Sequence, residues 1–213
     1  MTATRLFGFR YSVYVRAVRL GLEERGIRYD LIEVDPFAPA DPENPNPHPM
    51  NRVPVLAHDG FQVFETSAIL TYLAGLPGGA LIPTDPKAHA RMVQVQSIVD
   101  SYAYWPLVRQ VYSAAAYDIA QGGKRDQAEI DRGLAASLPA LSMVEDIAAE
   151  GFVLKNQCLT LADLHLAPMI AAFATAPEGR ACLAGFPALS HWWNAFQTRD
   201  SLRKTDPGLP PLG

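Results

Sequence analysis

Three short groups of residues in this sequence have the types and spacing to do chemistry. Ser12 stands where an apolar and aromatic run, Arg5 to Phe9, gives way to a segment with helical spacing. A helix start presents unpaired backbone N–H groups and a partial positive charge. An anion such as a thiolate is stabilised there, and a hydroxyl adds one more donor. The same hydroxyl reads equally well as an ordinary N-cap, and Tyr11 and Tyr14 are further hydroxyls able to act as the donor.

The second group is Arg52-Val53-Pro54-Val55-Leu56, a proline directly before apolar strand residues. Proline is normally kept out of strands. One solution is a cis Val53–Pro54 bond, which turns the backbone of Val53 outward to pair with an extended, peptide-like ligand. Spacing alone favours the other solution, a trans proline opening an edge strand, since only about 5% of X–Pro bonds are cis. The third group is Glu65-Thr66-Ser67 at the start of another helical segment. A carboxylate there can take a ligand ammonium, while the Thr66 hydroxyl and the following N–H groups take a ligand carboxylate, so that together they would recognise an α-amino acid end. Capping by Thr66 or Ser67 explains the same residues one at a time.

The elements that must hold these groups are legible from pattern. Arg5 to Phe9 reads as a strand. Val15, Val18, Leu20 and Leu22 recur near helical spacing from Ser12 to Gly26, and Tyr29 to Val34 reads as a second strand that stops at Asp35-Pro36. After a Pro-rich stretch, Val53 to Ala57 and Phe61 to Phe64 flank His58-Asp59-Gly60, whose Asp-Gly pair signals a hairpin. The order is strand, helix, strand, loop, hairpin, helix, a compact α/β unit with a mixed sheet. Gly75 to Pro86 reads as a linker. Helical segments follow at Ala88 to Tyr117, Gln127 to Glu150, Leu161 to Ala176 and Ser190 to Asp200, with no strand signal after Pro86. Seven of the 18 prolines fall between Asp35 and Pro54, so the two parts fold differently.

Composition bounds the function. With 213 residues, 49% hydrophobic and 19% charged, the chain is long enough for one large domain or two small ones and is not a disordered or fibrous sequence. Its 18 Lys+Arg against 22 Asp+Glu leave a net charge of −4 without a basic tract, which excludes nucleic acid and an anionic membrane surface as expected partners. Two cysteines, Cys158 and Cys182, are too few for a disulfide scaffold and too far apart for a C-x-x-C site. The five histidines have no metal-ligand spacing, so no metal is expected. Without an apolar signal core or a stretch of about 18 uncharged apolar residues, a cytoplasmic location is expected.

Taken in order, the strand, Ser12 at a helix start, Val53-Pro54-Val55-Leu56, the hairpin, Glu65-Thr66-Ser67-Ala68-Ile69 and an all-helical half resemble the cytosolic glutathione transferase family over nearly the whole chain. The resemblance implies a thioredoxin-like glutathione-binding domain at 1–76, a linker at 77–87 and an all-helical substrate-binding domain at 88–213. It implies that Pro54 is cis, that Arg52, Val53 and Pro54 line the glutathione site with Val53 pairing its backbone to the cysteinyl part, and that Glu65 with Thr66 holds the γ-glutamyl end. The family more often carries Glu-Ser than Glu-Thr; the hydroxyl is kept. Ser12, ahead of Val15-Arg16-Ala17-Val18-Arg19-Leu20, is similar to the serine of the serine-type zeta, tau and phi classes and of their bacterial relatives, whose hydroxyl stabilises the glutathione thiolate.

Thr160-Leu161-Ala162-Asp163 resembles the family's T-x-A-D segment and reads from its residues as a capping box. Tyr102, Tyr104, Trp105, Tyr112 and Tyr117 gather aromatics in the first helical segments of the second half. On the resemblance, part of this cluster, Tyr102 and Trp105 with Tyr11 and Tyr14, lines a second-substrate pocket, though a helical bundle also needs aromatic core. The expected activity is glutathione conjugation to a hydrophobic or aromatic electrophile, with glutathione as co-substrate, no metal, and a homodimer. The alternatives are a glutathione-dependent isomerase, dehalogenase or ether-cleaving enzyme, or a non-catalytic binding protein of the same fold. Asp100 is a candidate to reach a partner's γ-glutamyl site or to remain a solvated helix charge.

Overall fold

In the computed structural model, which describes residues 4–39 and 45–211, strand β1 (Arg5–Gly8) buries Leu6 and Gly8 and exposes Arg5. It pairs in parallel with β2 (Asp30–Glu33) and antiparallel with β3 (Val55–His58), which pairs antiparallel with β4 (Phe61–Phe64), giving the order β2-β1-β3-β4. Asp59 and Gly60, the two residues between β3 and β4, both have positive φ, 48° and 79°. That pair of left-handed residues matches the twist of a two-residue hairpin.

Helix α1 (Val13–Glu24) turns Val15, Val18 and Leu22 towards the sheet, where they close a core with Leu6, Leu56, Ile69 and Leu73, all at 0% exposure. Ile69 and Leu73 come from α2 (Thr66–Gly75). Burying each such side chain contributes about 1.5–3 kcal/mol. The helix lies so close to β1 that a Cβ on Gly8 would come within 2.7 Å of the Val15 methyls. Only glycine fits there, and the turn after β1 closes with the Ser12 N–H on Phe9 O at 2.9 Å.

Met1–Gly79 forms one compact unit and Ala80–Gly213 a second. The second is helical among its described residues: α3 (Pro86–Ile98), π-helical segments Val99–Ala103 and Trp105–Tyr117, α4 (Asp118–Ala120), α5 (Gln127–Glu150), α6 (Leu161–Phe173), α7 (Pro177–Leu183), α8 (Pro187–Phe196) and α9 (Asp200–Lys204). Helix α3 starts with Asp85 as N-cap, its carboxylate accepting the Ala88 N–H at 2.8 Å, and with Pro86 at the first turn. Pro86 and Lys87, expected in the linker, are therefore helical.

The single helix expected from Ala88 to Tyr117 is not one α-helix. Backbone N–H groups at Tyr104 and Asp118 reach the carbonyls of Val99 and Ser113, five residues back rather than four. Pro106 cannot donate to a preceding carbonyl, and the wider π pattern runs through the turns on either side of it. Helix α5 packs on this region at Gly133, where a Cβ would meet Gln110 Cβ at 2.7 Å. Helix α6 is buried on almost every side, as its apolar run predicts, but ends at Phe173, and Pro177–Leu183 is a separate helix that the pattern did not show. The segment expected from Ser190 to Asp200 is two helices, α8 and α9.

The Thr160–Asp163 capping box is present. Asp163 Oδ2 accepts the Thr160 N–H at 2.8 Å and its hydroxyl at 2.7 Å. Among the described residues no helix is long and apolar enough to cross a membrane, and no cluster of His, Cys, Asp and Glu could hold a metal ion.

Candidate functional site

Strand register brings the three groups to one end of the sheet. Phe7 of β1 lies opposite Val55 of β3, and Val55 lies opposite Phe64 of β4. The residue before Val55 is Pro54, the residue after Phe64 is Glu65, and the chain leaving β1 past Gly8 enters the turn that ends at Ser12. Sites with three sequence-distant parts arise in this way, from strand ends that share one edge of a sheet.

Ser12 is the N-cap of α1. Its backbone N–H donates to Phe9 O at 2.9 Å, and its Oγ accepts the Val15 N–H at 3.3 Å. Capping and chemistry are compatible here: a hydroxyl that accepts through a lone pair still has its O–H to donate. The turn is held from β2. Glu33 accepts the Arg10 backbone N–H at 3.0 Å on Oε1 and the Arg10 Nε–H at 2.9 Å on Oε2. Phe9 packs edge-on against Tyr11 at 5.4 Å and against Phe37 at 6.4 Å between ring centroids, and Phe37 is 74% exposed. Tyr11 and Tyr14, expected as pocket residues, are half-buried.

The Val53–Pro54 peptide bond is cis, with Val53 half-buried and Pro54 buried. Val53 lies ahead of β3, outside the paired ladder that begins at Val55. The loop before it is shaped by Asn46, whose amide donates to Arg52 O at 3.0 Å and to Asn51 Oδ1 at 3.1 Å, and by Asn51 in the left-handed region with φ 50°. Arg52 is exposed.

Glu65 occupies the N-cap of α2 with φ 69°, and no side chain caps this helix. Neither Thr66 nor Ser67 is the cap. The first turn of α2, whose N–H groups a helix leaves without intrahelical partners, begins directly after the exposed Glu65 carboxylate. Thr66 is buried, at 6% exposure. His48, from the Pro-rich stretch, is buried and packs against Phe64 at 4.7 Å, with Nε2 3.7 Å from Glu65 Oε1.

In the helical unit, Tyr102 and Trp105 project from the π-helical region at 60% and 61% exposure, whereas Tyr112 is buried and packs against Tyr117 at 6.0 Å. The aromatic cluster thus divides between surface and core. Asp100 is exposed, and its Oδ1 lies 2.8 Å from Nε2 of the fully buried His165 in the same chain.

Pattern reading missed Glu33 with Arg10, the Phe9–Phe37 contact and the Asn46–His48 loop. The Arg10–Glu33 and Phe9–Phe37 contacts join residues from separate elements, which no local spacing announces. The only signal available was negative, a loop too rich in proline to be an ordinary connection.

Comparison with known proteins shows the family. A sequence model of the glutathione S-transferase N-terminal domain matches residues 6–80, and one of the glutathione S-transferase C-terminal domain matches residues 101–200. Glutathione S-transferase 3 of Zea mays is 26% identical over 99% of this chain and 96% of its own length. Glutathione S-transferase F13 of Arabidopsis thaliana is 26% identical over 97% of this chain and 96% of its own. The apo structure of glutathione S-transferase III superposes with a TM-score of 0.79 at 25% identity, covering 99% of this chain and all of that one. With both domain models matched in order, full-length relatives and the sheet-end arrangement of Ser12, Pro54 and Glu65, the chain belongs to the glutathione S-transferase family.

Proposed function

We propose that this protein is a glutathione transferase in which Ser12 activates the glutathione thiol for attack on a hydrophobic or aromatic electrophile. The observation that carries the reading is the register that sets the Ser12 helix start, Val53–Pro54 and the uncapped start of α2 at one end of the sheet.

The Val53 backbone, outside the ladder, pairs with the cysteinyl part of extended glutathione, with Arg52 and Pro54 flanking it. The Glu65 carboxylate takes the α-ammonium of the γ-glutamyl end. Thr66 and the first-turn N–H groups of α2 take its carboxylate. The Ser12 hydroxyl, already accepting the Val15 N–H, donates to the cysteinyl sulfur beside the positive end of α1. A thiol with a pKa near 8.5 is mostly protonated at neutral pH, so each unit of lowering yields nearly ten times more thiolate. The thiol proton passes to solvent. The sulfur lone pair then forms the C–S bond, and a leaving group departs with the bonding electrons, or an activated double bond accepts them and is protonated by water.

The exposed Phe37, in edge contact with Phe9, and the half-buried Tyr11 and Tyr14 suit an apolar co-substrate, as do the exposed Tyr102 and Trp105 on the helical unit. A cytoplasmic location and a homodimer belong to the same proposal, supported by two unpaired cysteines and by the family.

Isothermal titration with glutathione, combined with thiolate absorbance between pH 5 and 9, tests it. Binding with a thiolate pKa below that of free glutathione supports the reading. Absence of binding refutes it and leaves a protein of this fold with another role.

A further inference from the structure

We propose that His48 is a positioning residue for Glu65, fixing the carboxylate that receives the α-ammonium of glutathione; this rests on the glutathione reading above. The His48 ring is held from several directions. Its side chain is only 3% exposed and stacks at a tilt on Phe64, 4.7 Å between centroids. Its backbone N–H donates to Asn46 Oδ1 at 3.0 Å, and its carbonyl accepts the Asn51 N–H at 2.9 Å.

The Met50 N–H donates to Nδ1 at 3.0 Å, so Nδ1 is an acceptor and the neutral ring carries its proton on Nε2. That N–H faces Glu65, with Nε2 3.7 Å from Oε1. This is longer than a hydrogen bond, and on this proposal it shortens when glutathione draws the exposed Glu65 side chain into place, as catalytic contacts in ligand-free sites often do. Glu65 itself needs an anchor. Its side chain is 69% exposed, and it holds a left-handed backbone angle that non-glycine residues seldom adopt. A fixed donor on one oxygen lowers the side chain's freedom and leaves the other oxygen for the ammonium, which reduces the ordering cost of binding. The same histidine joins two parts of the site, since its loop runs through Asn46 and Asn51 to Arg52 and Val53.

The substitution His48→Asn separates this role from loop structure. An asparagine carbonyl can still accept the Met50 N–H as an Asx turn, but the side chain is too short to face Glu65. The expected result is a KM for glutathione raised about three- to tenfold, the value of one hydrogen bond, with a much smaller change in kcat. Titration with a glutathione analogue lacking the α-amino group should give the same affinity for wild type and H48N. Adding H48N to E65Q should weaken glutathione binding little further. Equal loss for glutathione and the analogue, additive loss with E65Q, or an unchanged KM would each overturn the role of His48 while leaving the transferase reading intact. Wild-type protein that binds neither compound would overturn that reading, and this inference with it.

Discussion

Trp192 donates its indole N–H to Asp163 Oδ1 at 2.8 Å, tying α8 to the start of α6 in a region where both residues are essentially unexposed. The other carboxylate oxygen closes the capping box with Thr160. Asp163→Ala leaves three buried donors without their acceptor. At about 1–3 kcal/mol for each unsatisfied group, partly relieved by relaxation, the loss is on the order of 3 kcal/mol or more. Thermal unfolding followed by circular dichroism should show Tm lowered by roughly 6–12 °C. A D163A protein that melts with wild type would refute the capping role.

Gly8→Ala places a methyl 2.7 Å from the Val15 side chain and pushes α1, with Ser12, away from β1. Such overpacking costs about 1–3 kcal/mol. Stability and conjugation rate should fall together. Adding Val15→Ala makes room for the new methyl, so the double variant should be more stable than the sum of the two single losses. Strict additivity in urea titrations would argue that this contact does not set the helix position.

Ser12→Ala removes the acceptor for the Val15 N–H and, on the proposed function, the donor to the thiolate. Conjugation to a model aromatic electrophile at pH 6.5 should drop roughly ten- to a hundredfold, corresponding to a thiol pKa raised by about one to two units. Glutathione affinity should change no more than a few-fold. Because the cap is also lost, stability should fall by about 1 kcal/mol. A rate equal to wild type would move thiol activation to Tyr11, Tyr14 or the backbone N–H groups.

The two thiols should separate cleanly on alkylation. Cys158 is exposed, while burial pushes the Cys182 thiol above the ordinary range despite a hydrogen bond with Ser137 that pulls it down. A raised pKa means less thiolate at a given pH and slower reaction. Iodoacetamide at pH 8 should label Cys158 first, with Cys182 accelerating as the pH rises further. Peptide mass spectrometry showing equal rates at pH 8 would contradict this.

Much of the molecule was readable because the deciding interactions are local. A serine before apolar residues three and four apart starts α1, and Asp59-Gly60 makes a hairpin because those residues tolerate positive φ. The reading failed where distant contacts or backbone register take over. The π-helical stretch keeps a helix-like apolar pattern while Pro106 displaces its hydrogen bonds, so periodicity could not separate it from α3. Helix α7, seven residues long, is too short to show a period at all.

The site divides along the same line. Ser12, Pro54 and Glu65 stand out by residue type and neighbours, as a hydroxyl at a helix start, a proline before a strand and a carboxylate before a helix, but each also has a plain structural reading, and only their joint order, through the family resemblance, gives them roles. Sequence by itself determined those groups and the elements that carry them. Only the tertiary structure decided that they meet. Strand pairing between Phe7, Val55 and Phe64 brings them to one sheet end, and side chains from elsewhere, Glu33 on Arg10 and His48 beside Glu65, lock their surroundings. Register and packing are properties of the closed core, set by how much apolar surface all the elements bury together, and no short stretch of chain contains them.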